Sequence, residues 1–371
     1  MAERRDLTGT QMWKTFKDRI DEGRLGRNRG LPMGFDRLSD HISNIQQGRY
    51  DLIGGATGTG KTALVDDAYV FNPIEHLRAN PEDDYRFEVV YYSLEISPER
   101  KLAKLICRRI WEEHKTLITP KQLYSQGLRN RIPDEVYGLL DHYRNYYEEV
   151  VDKYIHFRTS ASPRFVYKDL MDYVEARGEV VRDLSLGENG RPKNTVLDYK
   201  PRDPRLITLV VFDHVSLLSR DKGDSNKKES IDNLSRQLVF FRNEFKLSPV
   251  VVSQFNRSIE GMDRRRESVY DPQLSDFKDT GSTQEDADTV ISLYNPLRYG
   301  LEEHHGYDIT RFGRNYRGLE ILKNRDGDDN LTIGMYFLGE VGLFKELPSA
   351  KELKENPAKL SKVLNYRNNG N

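Results

Sequence analysis

The sequence predicts an α/β fold: a mostly parallel central sheet flanked by helices, with a short linker helix ahead of it. Three observations carry that expectation. Short apolar runs alternate with helix-period segments from about Gly34 onward, the pattern of strand–helix units in a parallel sheet. Gly55-Ala56-Thr57-Gly58-Thr59-Gly60-Lys61-Thr62 matches the phosphate-binding consensus G-x-x-x-x-G-K-[S/T]. That loop also sits where it must, after an apolar run at 51–54 and before a helix-like run from Ala63. The 371 residues leave room for one large domain with appendages or for two smaller ones.

In chain order, residues 1–30 are polar and basic. Met12, Trp13, Phe16 and Ile20 recur there at helical spacing, and Arg24–Gly30 reads as a flexible linker. A stripe this small forms no core of its own, so it folds back on the main domain or docks on a neighbouring subunit. Strands are predicted at 51–54, 87–93, 154–158, 206–213, 249–253, 289–294, 319–324 and 332–338. Helices are predicted at about 61–71, 98–114, 132–148, 163–177 and 227–246. Two segments break the alternation. Residues 178–205 are charged and rich in Gly, Pro and Asn, and read as an exposed insertion. Residues 257–286 are long and polar, with Arg264-Arg265-Arg266, between two strong strand signals; a loop of that length is usually functional or disordered. The tail from 348 to 371 is a charged, helix-like run.

Composition narrows the function classes. Charged residues are 32% of the chain, yet the formal net charge is only −1, so nucleic-acid binding must come from local basic loops. The single cysteine, Cys107, excludes a disulfide framework and a four-cysteine zinc site; its helical context points to packing. No apolar run is long enough for a membrane span, and the N-terminus lacks a signal peptide's apolar segment, so a cytoplasmic setting is expected.

The candidate chemistry follows from the loop. Its glycines let backbone N–H groups turn towards a phosphate, and the next helix aims its positive end at the same anion. Lys61 is placed to reach the β/γ-phosphates and the Thr62 hydroxyl to ligate Mg²⁺. The strand 206–213 ends in Asp213, a position for a carboxylate holding the Mg²⁺ shell. The strand 87–93 leads to Glu95, placed either to polarise the water attacking the γ-phosphate or merely to cap the next helix. The strand 249–253 leads to Gln254, either a γ-phosphate sensor or a sheet-end hydrogen bond. Lys323-Asn324-Arg325-Asp326-Gly327 falls in a turn between two strands, and reads either as a solvated turn or as an arginine finger acting on a neighbour.

Taken together, these motifs resemble one family, the DnaB-like replicative helicases, in their RecA-like C-terminal ATPase domain. Gly30-Leu-Pro-Met-Gly-Phe-Asp-Arg-Leu38 is similar to that family's lead-in to the phosphate loop. Ser93-Leu-Glu-Ile-Ser97 resembles its Ser-Leu-Glu-Met-Ser motif, and Val252-Ser-Gln-Phe-Asn-Arg257 its Ser-Gln-Leu-Asn/Ser-Arg motif. The stretch from Leu274 to Asp288 resembles its Leu-Arg-Glu-Ser-Gly-Ser-Ile-Glu-Gln-Asp-Ala-Asp run, and Lys323–Gly327 its Lys-x-Arg-Asn-Gly finger. The resemblance covers roughly residues 30–345.

It implies a RecA-like ATPase domain over 31–347, followed by the tail; in a ring, the apolar stripe of residues 1–30 is expected to make an interface helix packed on the adjacent subunit. It implies a homohexameric ring with ATP and Mg²⁺ between subunits: the phosphate loop, Glu95, Asp213 and Gln254 on one side, Lys323 and Arg325 reaching from the neighbour. It implies single-stranded DNA in the central channel against Lys278, Asp279 and Gly281, with Arg257 and Arg264 as further candidates, and 5′-to-3′ unwinding at a replication fork. A primase, loader or polymerase would be further partners. The departures are informative. Only residues 1–30 precede the lead-in where the family has a collar domain, and Asp326-Gly-Asp-Asp-Asn330 adds negative charge after the finger. His214 stands where the family favours Tyr, and is expected to pack or hydrogen-bond. A compact version of this kind suggests a phage or mobile element. Two other readings stay open: a recombinase-like filament on DNA, and a ring ATPase scaffold without helicase activity.

Overall fold

A computed structural model describes residues 8–183, 185–186, 194–256, 259, 264, 270–278 and 281–364, without side chains for the last three. Its centre is a nine-stranded sheet in the order β13-β12-β11-β8-β1-β7-β6-β2-β3. The parallel part comprises β1 (Asp51–Gly55), β2 (Arg86–Ser93), β3 (Ile155–Arg158), β6 (Leu206–Asp213), β7 (Ser248–Gln254) and β8 (Thr289–Tyr294). β11 (Tyr316–Asn324), β12 (Leu331–Leu338) and β13 (Leu343–Glu346) extend it antiparallel at one side. All eight predicted strands are present. β13 was not predicted; at four residues and ending in Lys345-Glu346 it gives too little periodicity to be seen.

The central strands are buried on both faces, as the continuous apolar runs of β1, β6 and β7 require. One core layer packs the chain segment after the phosphate loop and the helix Asp134–Tyr154 on one face, through residues such as Leu64, Val65, Tyr69 and Val150. The other packs the helices Pro163–Glu175 and Lys227–Phe245 through Val166, Leu170, Leu234 and Phe241. The helix Pro98–His114 keeps the predicted bounds. The helix predicted at 61–71 runs on: Lys61–Val65 continues through a π-helical stretch, Asp66–Phe71, into Asn72–Ala79.

The insertion at 178–205 is more ordered than its composition implies. Gly178–Asp183 (β4) and Thr195–Pro201 (β5) pair as an antiparallel hairpin. Tyr199 docks on Phe245 at a centroid distance of 5.1 Å, and Val180 and Val196 pack on the same core layer. Its alternating Val/Tyr residues were masked by the surrounding polar ones. A second small hairpin, Glu303–His304 (β9) and Tyr307–Asp308 (β10), precedes β11. The N-terminal helix spans Gly9–Arg24, starts with a Thr8–Gln11 capping box and buries none of its residues. Trp13 and Phe16 are 66% and 53% exposed, so the apolar stripe does not fold back on its own domain. No described helix is long and apolar enough to cross a membrane.

Candidate nucleotide site

The parallel strands end at one edge of the sheet, and topology brings the candidate side chains together there. β1 lies between β8 and β7, so Gly55 pairs with Gln254; β6 pairs with β2, so Asp213 lies opposite Ser93. The loop leaves β1 and turns through Gly58 and Gly60, whose φ of +79° and +103° disfavour any side chain. At Gly60 a Cβ would also stand 2.9 Å from the Phe337 ring. The Ala56 carbonyl gathers the loop, accepting from the Thr59 hydroxyl at 2.9 Å and from Lys61 Nζ at 3.0 Å. Two arginines brace the outside of the turn: Arg317 Nε donates to the Thr59 carbonyl at 2.7 Å and Arg298 to that of Thr57 at 2.9 Å.

Lys61 is buried, and burial pushes its ammonium down to about 8, with Glu95 and Asp213 opposing the shift. The Thr62 hydroxyl donates to Asp213 Oδ1 at 2.9 Å. This alcohol–carboxylate pair is the donor set a hard cation takes, and it fits Mg²⁺. The other Asp213 oxygen is held by Lys101 Nζ at 3.0 Å, which also binds Asp66 at 3.2 Å and the Tyr91 hydroxyl at 2.7 Å. Burial disfavours the Lys101 charge, but the two carboxylates outweigh it and raise its pKa. Asp213 is therefore fixed in one orientation, with one oxygen turned towards Thr62.

The Leu94 and Glu95 N–H groups both donate to the Asp213 carbonyl, at 2.8 and 3.3 Å, which turns the chain so that Glu95 projects over the site. Its side chain is half-exposed, open to water. His214 stands between the two remaining candidates. Its Nε2 lies 3.7 Å from Glu95 Oε2 and 3.1 Å from Gln254 Nε2, and burial holds its pKa below the usual value, so the ring is neutral at pH 7. Neither Lys101 nor His214 was a site residue in the sequence reading. Lys101 had no signal beyond a cation on a buried helix face, and His214 had only its position beside Asp213.

Lys323 and Arg325 lie elsewhere. Asn324 pairs with Thr289 at the opposite end of β8, beside Asp51 at the start of β1. Lys323 Nζ donates to the Gln284 and Glu285 carbonyls at 2.7 and 2.9 Å; Arg325 binds Asp288 at 2.8 Å and the Glu285 carbonyl at 2.7 Å. Four residues of strand separate this end from the phosphate loop, on the order of 13 Å. These two cations do not join their own chain's loop.

Of the DNA-contact candidates, Lys278 is exposed and its backbone N–H donates to the Gln254 carbonyl at 2.9 Å. The neighbouring Phe277 seats its ring on Gly54, where a Cβ would come within 2.2 Å. Gly281 is exposed at the start of the helix Gly281–Asp286. Arg264 ion-pairs with Asp276 at 2.6 Å. Arg257 and Asp279 lie outside the described residues.

A sheet of this order with a phosphate loop on its central strand defines a RecA-like phosphate-loop ATPase fold. Two solved structures share it. One is a separately solved ATPase domain, at TM-score 0.65 and 20% identity over 92% of this chain and all of that one. The other is a DnaB-like replicative helicase, described together with its interactions with primase, at TM-score 0.61 and 20% identity over 91% of this chain and 67% of that one. Residues 190–346 match the family model of the DnaB-like helicase C terminal domain. Similar curated proteins include a probable replicative DNA helicase of Trieres chinensis, 24% identical over 80% of this chain and 53% of its own length. The replicative DNA helicase DnaB of Geobacillus stearothermophilus is 22% identical over 87% and 58%. The chain thus spans about half the length of the curated relatives it matches, and the expected resemblance to DnaB-like replicative helicases is borne out.

Proposed function

We propose that the chain is the ATP-hydrolysing motor of a hexameric replicative DNA helicase, moving 5′ to 3′ on single-stranded DNA. One observation carries the reading: Lys61, Thr62, Glu95, Asp213 and Gln254 converge at one sheet edge while Lys323 and Arg325 occupy the opposite edge. A finger at that distance acts on a nucleotide only if the nucleotide belongs to another subunit, which calls for a head-to-tail ring. The names of the similar proteins supply DNA and replication.

The phosphate loop and Lys61 bind the triphosphate; Thr62 and Asp213 would hold Mg²⁺, which would supply positive charge to the phosphates. Glu95 takes the proton of the attacking water, and His214 keeps Glu95 and Gln254 in register. Arg325 and Lys323 of the adjoining subunit stabilise the charge that develops on the γ-phosphate. Arg325 must leave Asp288 to do so, so hydrolysis waits on subunit closure. Gln254 passes the nucleotide state to Lys278 through the backbone hydrogen bond between them. Lys278 and Gly281 then contact the phosphates of the DNA strand, a grip that reads no sequence. By resemblance, Asp279, Arg257 and Arg264 are further candidates for contact with the strand, Arg264 once it leaves Asp276.

The deciding experiment measures ATP turnover with and without single-stranded DNA alongside mass photometry, for the wild type and Arg325→Ala. DNA-stimulated turnover in a six-subunit species, reduced about 10³-fold or more in Arg325→Ala with assembly intact, is expected from loss of a trans finger. A DNA-insensitive rate in a six-subunit species would instead favour the ring-scaffold reading, and one in a monomer or dimer would leave only the ATPase fold standing.

A further inference from the structure

We propose that Asp271, His304, His305 and Glu320 form a binding site for one divalent transition-metal ion of the Zn²⁺ class, separate from the nucleotide site. The four side chains come from three places in the chain. Asp271 lies within the long polar segment after β7, His304 ends β9 with His305 next to it in the hairpin turn, and Glu320 lies in β11. One ligand atom from each lies within 4.8 Å of all the others. His304 Nε2 is 3.1 Å from Glu320 Oε1 and 3.5 Å from Asp271 Oδ1, and His305 Nε2 is 3.4 Å from Asp271 Oδ2. A tetrahedral ion with bonds of about 2.0–2.2 Å has ligand-to-ligand edges of about 3.3–3.6 Å. These three contacts lie near that range, and a small closure of the remaining edges, all within 4.8 Å, completes the shell.

The surroundings are those of a built site. His304 and Glu320 are 3% and 4% exposed. The Tyr316 hydroxyl lies 3.0 Å from His304 Nδ1; as acceptor there it fixes the tautomer that leaves the Nε2 lone pair facing the cluster. Ser292 Oγ donates to the other Glu320 oxygen at 3.4 Å, which leaves Oε1 turned inward. Gly318 makes room for the His304 ring, since a Cβ there would stand 2.5 Å from Cε1. Two carboxylates and two imidazoles are the ligand set of a borderline cation, and a cation is what relieves the carboxylates' mutual repulsion. Occupancy would clamp Asp271, in the middle of the 257–286 segment, to the antiparallel side of the sheet.

The competing arrangement is a protonated His304 between two carboxylates with no metal. In that arrangement His305 is only a half-exposed second partner of Asp271, 3.4 Å away, whereas the metal site needs it as a ligand, which makes His305 the discriminating residue. The test is titration of the tag-free full chain, dialysed against EDTA, with Co²⁺ followed by visible absorption. One equivalent per chain with the intense bands of a four-coordinate site is expected, displaced by Zn²⁺. Thr62→Ala, which removes a magnesium ligand at the phosphate loop, should leave that spectrum unchanged. His305→Ala, at a half-exposed position, and Asp271→Asn should each weaken binding about 100-fold or more while circular dichroism stays native. Absence of four-coordinate bands, or bands that persist in both variants, overturns the proposal and leaves His304 as an ion-paired imidazolium.

Discussion

His214 is the residue on which sequence and structure weigh most differently. At the sequence level it is a substitution beside Asp213, expected to pack or hydrogen-bond, with no catalytic role. In the structure its Nε2 reaches both Glu95 and Gln254, while among the described residues its Nδ1 has no hydrogen-bond partner. The ring accepts a hydrogen bond from Gln254 and lies 3.7 Å from Glu95, so it spaces the two side chains by packing; misplacing the proposed general base by an ångström would cost rate without costing binding. His214→Ala is therefore expected to lower ATP turnover at least about 10-fold while nucleotide affinity, read by fluorescent-analogue titration, stays within about twofold. Equal losses in both would show that the ring only packs. The rest of the site was legible because its residues lie at strand ends and in a contiguous loop, which simple alternation locates. Lys101 was not, because its contacts to Asp66 and Asp213 depend on how a helix rotates against the sheet. Breaking such a buried pair typically costs about 3–5 kcal/mol, so the network supports the fold as well as the site.

At the scale of elements, β7 connects the two jobs proposed for the molecule. Its last residue, Gln254, contacts His214 by its side chain and Lys278 by its carbonyl, and Phe255 and Phe277 stack edge-on with centroids 5.1 Å apart. Phe277 in turn rests on Gly54, one residue before the phosphate loop. Movement of the γ-phosphate thus has a short mechanical route to the segment assigned to DNA. Gln254→Ala should keep ATP binding and basal turnover within a few-fold while losing DNA stimulation; stimulation that persists undiminished removes Gln254 from that route. The eight sheet strands were readable because their apolar runs are continuous and bounded by polar turns. The β4–β5 hairpin was not: its core-facing Val180, Val196 and Tyr199 are diluted by charges on the solvent face, and Gly and Pro nearby read as loop.

At the scale of the whole molecule, the exposed N-terminal helix and the misplaced finger point the same way. The helix Gly9–Arg24 stands with Trp13 and Phe16 in mutual contact, centroids 5.5 Å apart, and no residue buried. Leaving that stripe in water forfeits burial of two aromatic rings, each worth roughly 1.5–3 kcal/mol when covered. Arg325, held by Asp288 at the edge remote from the phosphate loop, lacks a phosphate within its own chain. A ring satisfies both, because each subunit then covers a neighbour's helix and completes a neighbour's site. The two contributions are separable. Trp13→Ala/Phe16→Ala should lower the hexamer fraction at fixed concentration in mass photometry, and turnover should fall in proportion because fewer sites receive an Arg325. Raising the protein concentration should then restore both together. An unchanged hexamer would assign ring cohesion to the ATPase domain alone, and the helix to some other surface.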